Sequence, residues 1–341
     1  MSGIIEGFAV ETQDDLIFTV KGLLHPPDRV IAYLRYLPDP AGERARDGMR
    51  YRRVYRFEEQ EAILNTRYPV YLANDPVFGL RLQSVPYQLI RTVYDPRRSL
   101  AALRQRGPGD PLETDALALA QLIHETADVP QASLSISGSL MLGLHRPSSD
   151  LDLIVYGEIA SRDVHQALCD LLHESQGPLR RPNPEELAAL HAEHRPDTPL
   201  AFDAFARLQS RKLNELRFQG RETFIRFVRL PEESDEYYGD RRFDPLRQVE
   251  VRARVTDDRN AIFTPCRYVV EHAALLDGAA LPELREIVSF RGRFSDQVRA
   301  GEWAAARGSL ERVTQEERTV HHRLVVGGQA GDYLLARERG Q

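Results

Sequence analysis

Through the first hundred positions, apolar and polar residues alternate in short runs. Residues 16–21 and 29–35 carry the period of two that a half-buried strand needs, and His25-Pro26-Pro27-Asp28 between them is turn chemistry. Residues 51–57 and 69–72 continue that character. Near Asp110 the pattern becomes helical. Asp110-Pro111-Leu112-Glu113 joins an N-cap aspartate, a proline at the first helical position and a glutamate three residues after the cap. Leu117, Leu119, Leu122 and Ile123 then share one broad face, which predicts a helix of about 15 residues reaching Ala127 and stopped by Val129-Pro130.

A strand is predicted at 133–137, a turn at Gly138, and a second strand opening with Asp150-Leu151-Asp152. Gly157 ends it, and Ser161 is placed to cap a helix through Leu172, with Val164, Leu168, Leu171 and Leu172 on one side. Asn183-Pro184-Glu185-Glu186 opens a further helix by the same capping logic. Residues 223–228 and 249–255 read as strands, and they are expected to pair with each other. Beyond Asp257, short apolar runs at 262–263, 268–270, 287–294 and 324–326 form a small β module. The changes of period divide the chain into a β-rich segment (1–108), a mixed core (109–256) and a β-rich module (257–341), an α+β class. The two β-rich ends can also fold together around the central stretch, because chain ends often lie close in space.

With 341 residues the chain is long enough for two or three domains of about 150 residues each. A hydrophobic share of 42% beside 28% charged residues is that of an ordinary globular protein. Cys169 and Cys266 stand far apart without a CxxC pair, which argues against a disulfide framework and against a cysteine zinc site. The first residues lack a basic and apolar leader, and no run approaches the roughly 18 apolar residues of a membrane span. A reducing, cytoplasmic setting without membrane attachment is expected. The formal charge of −6 does not describe a general polyanion binder.

One constellation prescribes a chemistry. In an extended segment, side chains alternate between faces, so Asp150 and Asp152 point the same way while Leu151 and Leu153 point into a core. Two convergent carboxylates repel each other unless a hard cation lies between them, and Mg²⁺ prefers a few carboxylates together with substrate phosphates. Upstream, Gly138 lets the backbone turn closely and Ser139 offers a hydroxyl and an amide near a helix start, donors that suit a triphosphate.

The Gly138-Ser139 turn, the ten-residue gap and the Asp150-Leu151-Asp152 strand resemble the DNA polymerase β-like nucleotidyltransferase superfamily, with its minimal, CCA-adding and antibiotic-modifying members. The resemblance covers roughly residues 111–256. It implies a mixed sheet with helices, flanked here by β-rich segments similar to those of predicted nucleotidyltransferases. It also implies transfer of a nucleoside monophosphate from an NTP, ATP among the candidates, to an acceptor hydroxyl with release of pyrophosphate. Gly138 and Ser139 would hold the triphosphate, while Asp150 and Asp152 would bind two Mg²⁺ or Mn²⁺ ions with a third acid from a later strand. Glu250, in the apolar-acid-apolar run Val249-Glu250-Val251, is the first choice for that acid and Asp203 the second. Arg146, between the motifs, is a candidate partner for β- or γ-phosphate. An RNA 3′ end stands slightly ahead as acceptor of a small-molecule or protein hydroxyl. A silent module that binds nucleotide or RNA is the alternative from another class.

Other features have plainer readings. Arg44, Arg46, Arg50, Arg52, Arg53 and Arg56, interleaved with Tyr51 and Tyr55, could hold RNA. A solvated stretch neutralised by Glu43, Asp47, Glu58 and Glu59 explains them as well. Glu250 could belong to a charged strand face. His191 and His194, one helical turn apart, lack further ligands at zinc-like spacing, and the glycines at 327–331 lack the strand-to-helix context of a dinucleotide site.

Overall fold

The computed structural model describes residues 3–173, 177–276, 278–281 and 283–337. In chain order it forms β1 (Ala9–Thr12), β2 (Ile17–Val20), β3 (Arg29–Pro38), β4 (Arg44–Arg46), β5 (Met49–Arg53), α1 (Phe57–Arg67), β6 (Leu72–Asp75), β7 (Leu80–Pro86), β8 (Ile90–Tyr94), α2 (Pro96–Arg106) and α3 (Pro111–Ala127). Next come β9 (Leu134–Ile136), the single turn α4 (Gly138–Met141), β10 (Leu151–Tyr156), α5 (Glu158–Leu171), β11 (Leu179–Arg180), α6 (Pro184–His194), α7 (Phe202–Gln209), β12 (Glu215–Phe218) and β13 (Arg221–Val228). The last third contributes β14 (Arg242–Asn260), β15 (Cys266–Leu275), β16 (Leu284–Ser289), β17 (Trp303–Gln315), β18 (Arg318–Val325) and β19 (Tyr333–Arg337). The class is mixed α and β with several sheets. Among the described residues no helix is long and apolar enough to cross a membrane.

Two compact units are assembled from separated stretches. The first takes Met1–Asp75, Leu80–Leu168 and Phe218–Tyr238, and the second takes Pro76–Gly79, Cys169–Arg217 and Gly239–Gln341.

In the first unit, an antiparallel sheet runs β4-β5-β3-β2-β1-β8, with β7 pairing both β3 and β6. Strand β10 lies between β9, antiparallel to it, and β13, parallel to it. Ile154, Tyr156 and Val228 share one apolar core with Phe18, Leu34, Leu64 and Val85 of the N-terminal segment. Close approach depends on Gly7, at φ +95°, where a Cβ would stand 2.2 Å from Ile154 Cδ1. The Tyr156 hydroxyl donates to the Glu6 carbonyl at 2.9 Å.

Helix starts follow local rules. Asp110 caps α3 by accepting from the Glu113 N–H at 2.9 Å, and Asn183 and Glu186 form a capping box at α6. Helix α5 begins three residues before Ser161, because the Glu233 carboxylate takes the Glu158 N–H at 2.8 Å and supplies the cap from a distant loop. Ser161 is instead buried and donates to the Val155 carbonyl.

The expected pairing of 223–228 with 249–255 does not occur. Helices separate β10 from β13, and such a crossover returns a strand parallel to its predecessor, so β13 joins β10. Residues 249–255 belong to the 19-residue β14, which pairs with β15 and β17. Nor do the two β-rich ends form one sheet. Residues 69–71 form a 3-10 turn rather than a strand, and β5 stops at Arg53.

In the second unit, β14, β15, β16, β18 and β17 follow one another around a ring that the β14–β17 pairing closes, with β16 and β18 parallel. Strand β17 is long enough to pair β19 through 303–307 and β18 through 309–315. Val249, Val251, Ala253 and Val255 alternate into the core of the ring with Tyr268, Ile287, Leu310 and Leu324. Among its buried charges, Arg323 pairs with Glu311 at 2.8 Å and Glu286 with His321 at 3.0 Å.

Acid should weaken both units through two imidazoles. Burial pushes His25 and His194 down to about 4, and Nδ1 of His25 accepts the Ile31 N–H at 3.2 Å. The unfolded chain, with ordinary histidines, binds more protons between pH about 4 and about 6.5, so this stability is present at neutral pH and is lost as pH falls through that window. After allowance for solvent screening, each imidazole should account for on the order of 2 kcal/mol. Urea unfolding of wild type and His25→Gln/His194→Gln at pH 7.0 and 4.5 checks this. The wild type should lose more stability than the variant, and equal losses would sink the assignment.

Candidate active site

Strand β9 is buried at all three positions and hands the chain to a turn held against β10. The Ser137 N–H donates to the Asp152 carbonyl at 2.9 Å. Gly138 follows at φ +64°, and a Cβ on it would lie 1.9 Å from Asp152 Oδ2. Only glycine lets the main chain turn directly against that carboxylate. Ser139 is buried, and its hydroxyl has no hydrogen-bond partner among the described residues.

Asp150 and Asp152 are half-buried. Burial and the neighbouring Asp150 charge push the Asp152 carboxyl up to about 6, although Arg226, Arg35 and Arg53 oppose the shift. The three arginines come from separate strands, β3, β5 and β13. Arg35 and Arg53 stack on the Tyr55 ring at 4.7 and 5.0 Å, and Arg226 lies over Phe224 at 5.5 Å. Arg226 also pairs with buried Glu6, whose carboxylate takes Lys21 at 3.3 Å. Arg35 and Arg53 form no ion pair among the described residues, although burial, and next the Arg53 charge, holds Arg35 below the usual guanidinium range. Cationic charge is thus left beside two repelling carboxylates, an environment suited to a metal-bound polyphosphate.

The loop into β10 is pinned from several sides. Arg44 donates to the Leu144 carbonyl at 2.7 Å, and Arg46 donates to the Leu142 carbonyl at 3.0 Å. Arg221 donates to the carbonyls of Pro147 and Ser149 at 2.7 and 3.1 Å, and pairs with Asp115 at 3.0 Å. Arginines 44 to 56 therefore divide. Arg44 and Arg46 brace the loop, with Glu43 and Asp47 beside them, Arg52 pairs with Glu59, and Arg53 faces the aspartates. Arg146 is exposed on the loop, its N–H donating to Ser149 Oγ at 2.9 Å.

Glu250 belongs to another sheet. It is exposed on β14, opposite Arg307 of β17, in the second unit. Asp203 is exposed in the first turn of α7, also in the second unit. Neither belongs to the unit holding Asp150 and Asp152, and the hairpin expected to carry Glu250 to them is absent. The register of β13 instead points to a carboxylate that sequence reasoning passed over. Leu151 pairs Thr223 and Asp152 pairs Phe224, so one further step sets Glu222 beside Asp150, and alternation gives Glu222, Phe224 and Arg226 the face of the aspartates. The cue in sequence was an acid at the start of an apolar strand, as strong there as at Glu250.

Asp110, Glu113 and His145 also converge, with one ligand atom of each within 4.8 Å of the others. Each has structural work there. His145 donates to Asp110 at 2.7 Å, and Arg106 pairs with Glu113. Burial alone would raise the Asp110 carboxyl, but the Glu113 N–H and His145 hold it below its ordinary range. The cluster ties the helix start to the loop before β10. In the second unit, the His191 ring bonds the Leu200 carbonyl at 2.8 Å and His194 packs on Phe205.

An uncharacterized protein of Methanocaldococcus jannaschii is 26% identical to this chain over 326 residues, spanning 93% of this chain and 94% of its own length. The similarity therefore extends over nearly all of both proteins, and the relative's name states no activity. No family model matches the chain, and no solved structure matches it.

Proposed function

We propose that the first unit is a metal-dependent nucleotidyltransferase of the polymerase β-like kind, moving a nucleoside monophosphate from an NTP to an acceptor hydroxyl. The observation that carries this reading is the packing of the Gly138 main chain against the Asp152 carboxylate, with Asp150 and a Ser139 hydroxyl that has no partner among the described residues in the same construction. The donor set fits hard divalent ions: Asp150 and Asp152 would hold Mg²⁺ or Mn²⁺, and bound ions of this kind polarise a phosphoryl oxygen and lower the pKa of an attacking hydroxyl.

The chain's own groups do the rest. Ser139 and the main chain around Gly138 hold the triphosphate, while Arg35 and Arg53 neutralise its oxygens. The acceptor oxygen bonds to the α-phosphorus, the bond from that phosphorus to the bridging oxygen breaks, and pyrophosphate leaves with the electron pair. Glu222 takes the acceptor's proton, directly or through one water. Incubating the protein with each labelled NTP, Mg²⁺ or Mn²⁺, and either bulk RNA or a metabolite extract tests the reading. Label transfer to one of these supports it, and binding of NTP without transfer would leave only a silent nucleotide-binding module.

Glu222→Gln should lower the transfer rate by about 100-fold or more, the scale of a lost general base, while nucleotide binding changes little. Glu250→Gln should keep most of the rate. The opposite ranking would return the third carboxylate to β14.

A further inference from the structure

Three strands of the second unit carry a second constellation, which the nucleotidyl-transfer reading does not use. Strand β17 lies between β14 and β19 through residues 303–307, and antiparallel partners share a face. The register writes out three rows: Arg254, Trp303 and Arg337; then Arg252, Ala305 and Leu335; then Glu250, Arg307 and Tyr333. The alternate residues of β14, Val251, Ala253 and Val255, point into the core, so these rows point outward. In these rows four guanidiniums and two large aromatic rings stand with a single carboxylate, and Glu271 borders them opposite Arg254. The Arg252 guanidinium lies over the Trp303 ring at 4.6 Å. Arg254 is 47% exposed, and its carboxylate neighbour, Glu271, stands 3.5 Å away in an exposed pair that adds little. Arg337 is exposed, and Trp303, Arg307 and Tyr333 are half-buried.

We propose that this outward face of β14, β17 and β19 binds single-stranded nucleic acid. Rings with an open side accept stacked bases of any sequence, and guanidiniums between them take the phosphates. By strand geometry, Trp303 and Tyr333 are separated by about 14 Å, a span that several stacked nucleotides cover. Small five-stranded barrels often bind oligonucleotides across their second and third strands and adjoining loops. Here that side is built otherwise. Its outward Arg267 is paired with Glu286, and the turn between β17 and β18 carries the acids Glu316 and Glu317. Charge and aromatic surface together select the other face.

The test is independent of nucleotidyl transfer, because it is done in EDTA without NTP. Trp303 is the only tryptophan in the chain, so its emission reports on this face alone. Titration of the full chain with a 12-nucleotide oligouridylate should quench that emission saturably. Trp303→Ala should weaken binding of the labelled oligomer by about 5- to 150-fold, the range for one lost base-stacking partner, whereas Trp303→Tyr keeps most of the affinity. Arg254→Gln/Arg337→Gln should make the slope of log affinity against log salt shallower by about 1.4. No binding overturns the proposal. So does binding that leaves the emission unchanged and is unaffected by the arginine substitutions. Emission that varies with protein concentration alone would give the face to a second copy of the chain, and would overturn it too.

Discussion

Replacing Asp150 and Asp152 together with alanine should reduce pyrophosphate release from NTP by at least about 1,000-fold, because β10 carries no carboxylate besides Asp152 that could hold a divalent ion once Asp150, just before it, is lost. The same site makes a prediction in the other direction for stability. Asp152 carries a charge that burial and Asp150 both disfavour, against three arginines that only partly offset them. In EDTA, Asp152→Asn should therefore be more stable than the wild type by about 1–3 kcal/mol. Adding Mg²⁺ should reverse the order, since an ion that binds only the folded wild type raises its stability by mass action. Thermal unfolding of both proteins with and without Mg²⁺ makes the comparison. A wild type indifferent to Mg²⁺, or an asparagine variant no more stable in EDTA, would remove the strained carboxylate pair from the account.

Gly138→Ala should separate chemistry from folding. The added Cβ would fall 1.9 Å from Asp152 Oδ2, and the backbone at φ +64° is one that L residues seldom adopt. The left-handed conformation costs about 1–2 kcal/mol. The severe clash is with the end of a side chain, which can rotate away, and Asp152 Cβ at 3.1 Å needs only a small shift, so folding should survive. The rotation takes the Asp152 carboxylate out of place, and the transfer rate should fall by about 100-fold or more, a loss typical of a misplaced catalytic group. A variant that keeps both its rate and its melting temperature would show that the turn does not need glycine.

Glycine at 138 and the pair at 150 and 152 were legible in the sequence because each depends on its own few neighbours. A turn needs one permissive residue, and alternation sets Asp150 and Asp152 on one face whatever surrounds the strand. The helix starts at Asp110 and Asn183 were legible for the same reason, since a cap is made within four residues. Ser161 shows the limit: the cap that α5 uses comes from Glu233, and no local pattern announces a carboxylate 75 residues away. The arginine stretch was legible as a cluster but not in its uses, because Arg44, Arg46 and Arg53 sit close in sequence and serve different partners.

The sequence by itself determined the elements around the turn, the common face of the two aspartates, and the α and β character of most segments. The tertiary structure alone decided which strand stands beside them. It placed β13 there, and with it Glu222 and Arg226, and it gave β14 and Glu250 to a closed ring in the other unit. It also brought Arg35 and Arg53 from the N-terminal sheet to the aspartates. The physical reason is that alternation, capping and turn chemistry act over a few residues, whereas strand partnership is settled by which apolar faces bury each other. Many pairings of half-buried strands satisfy the same local pattern, and only the assembled core chooses among them.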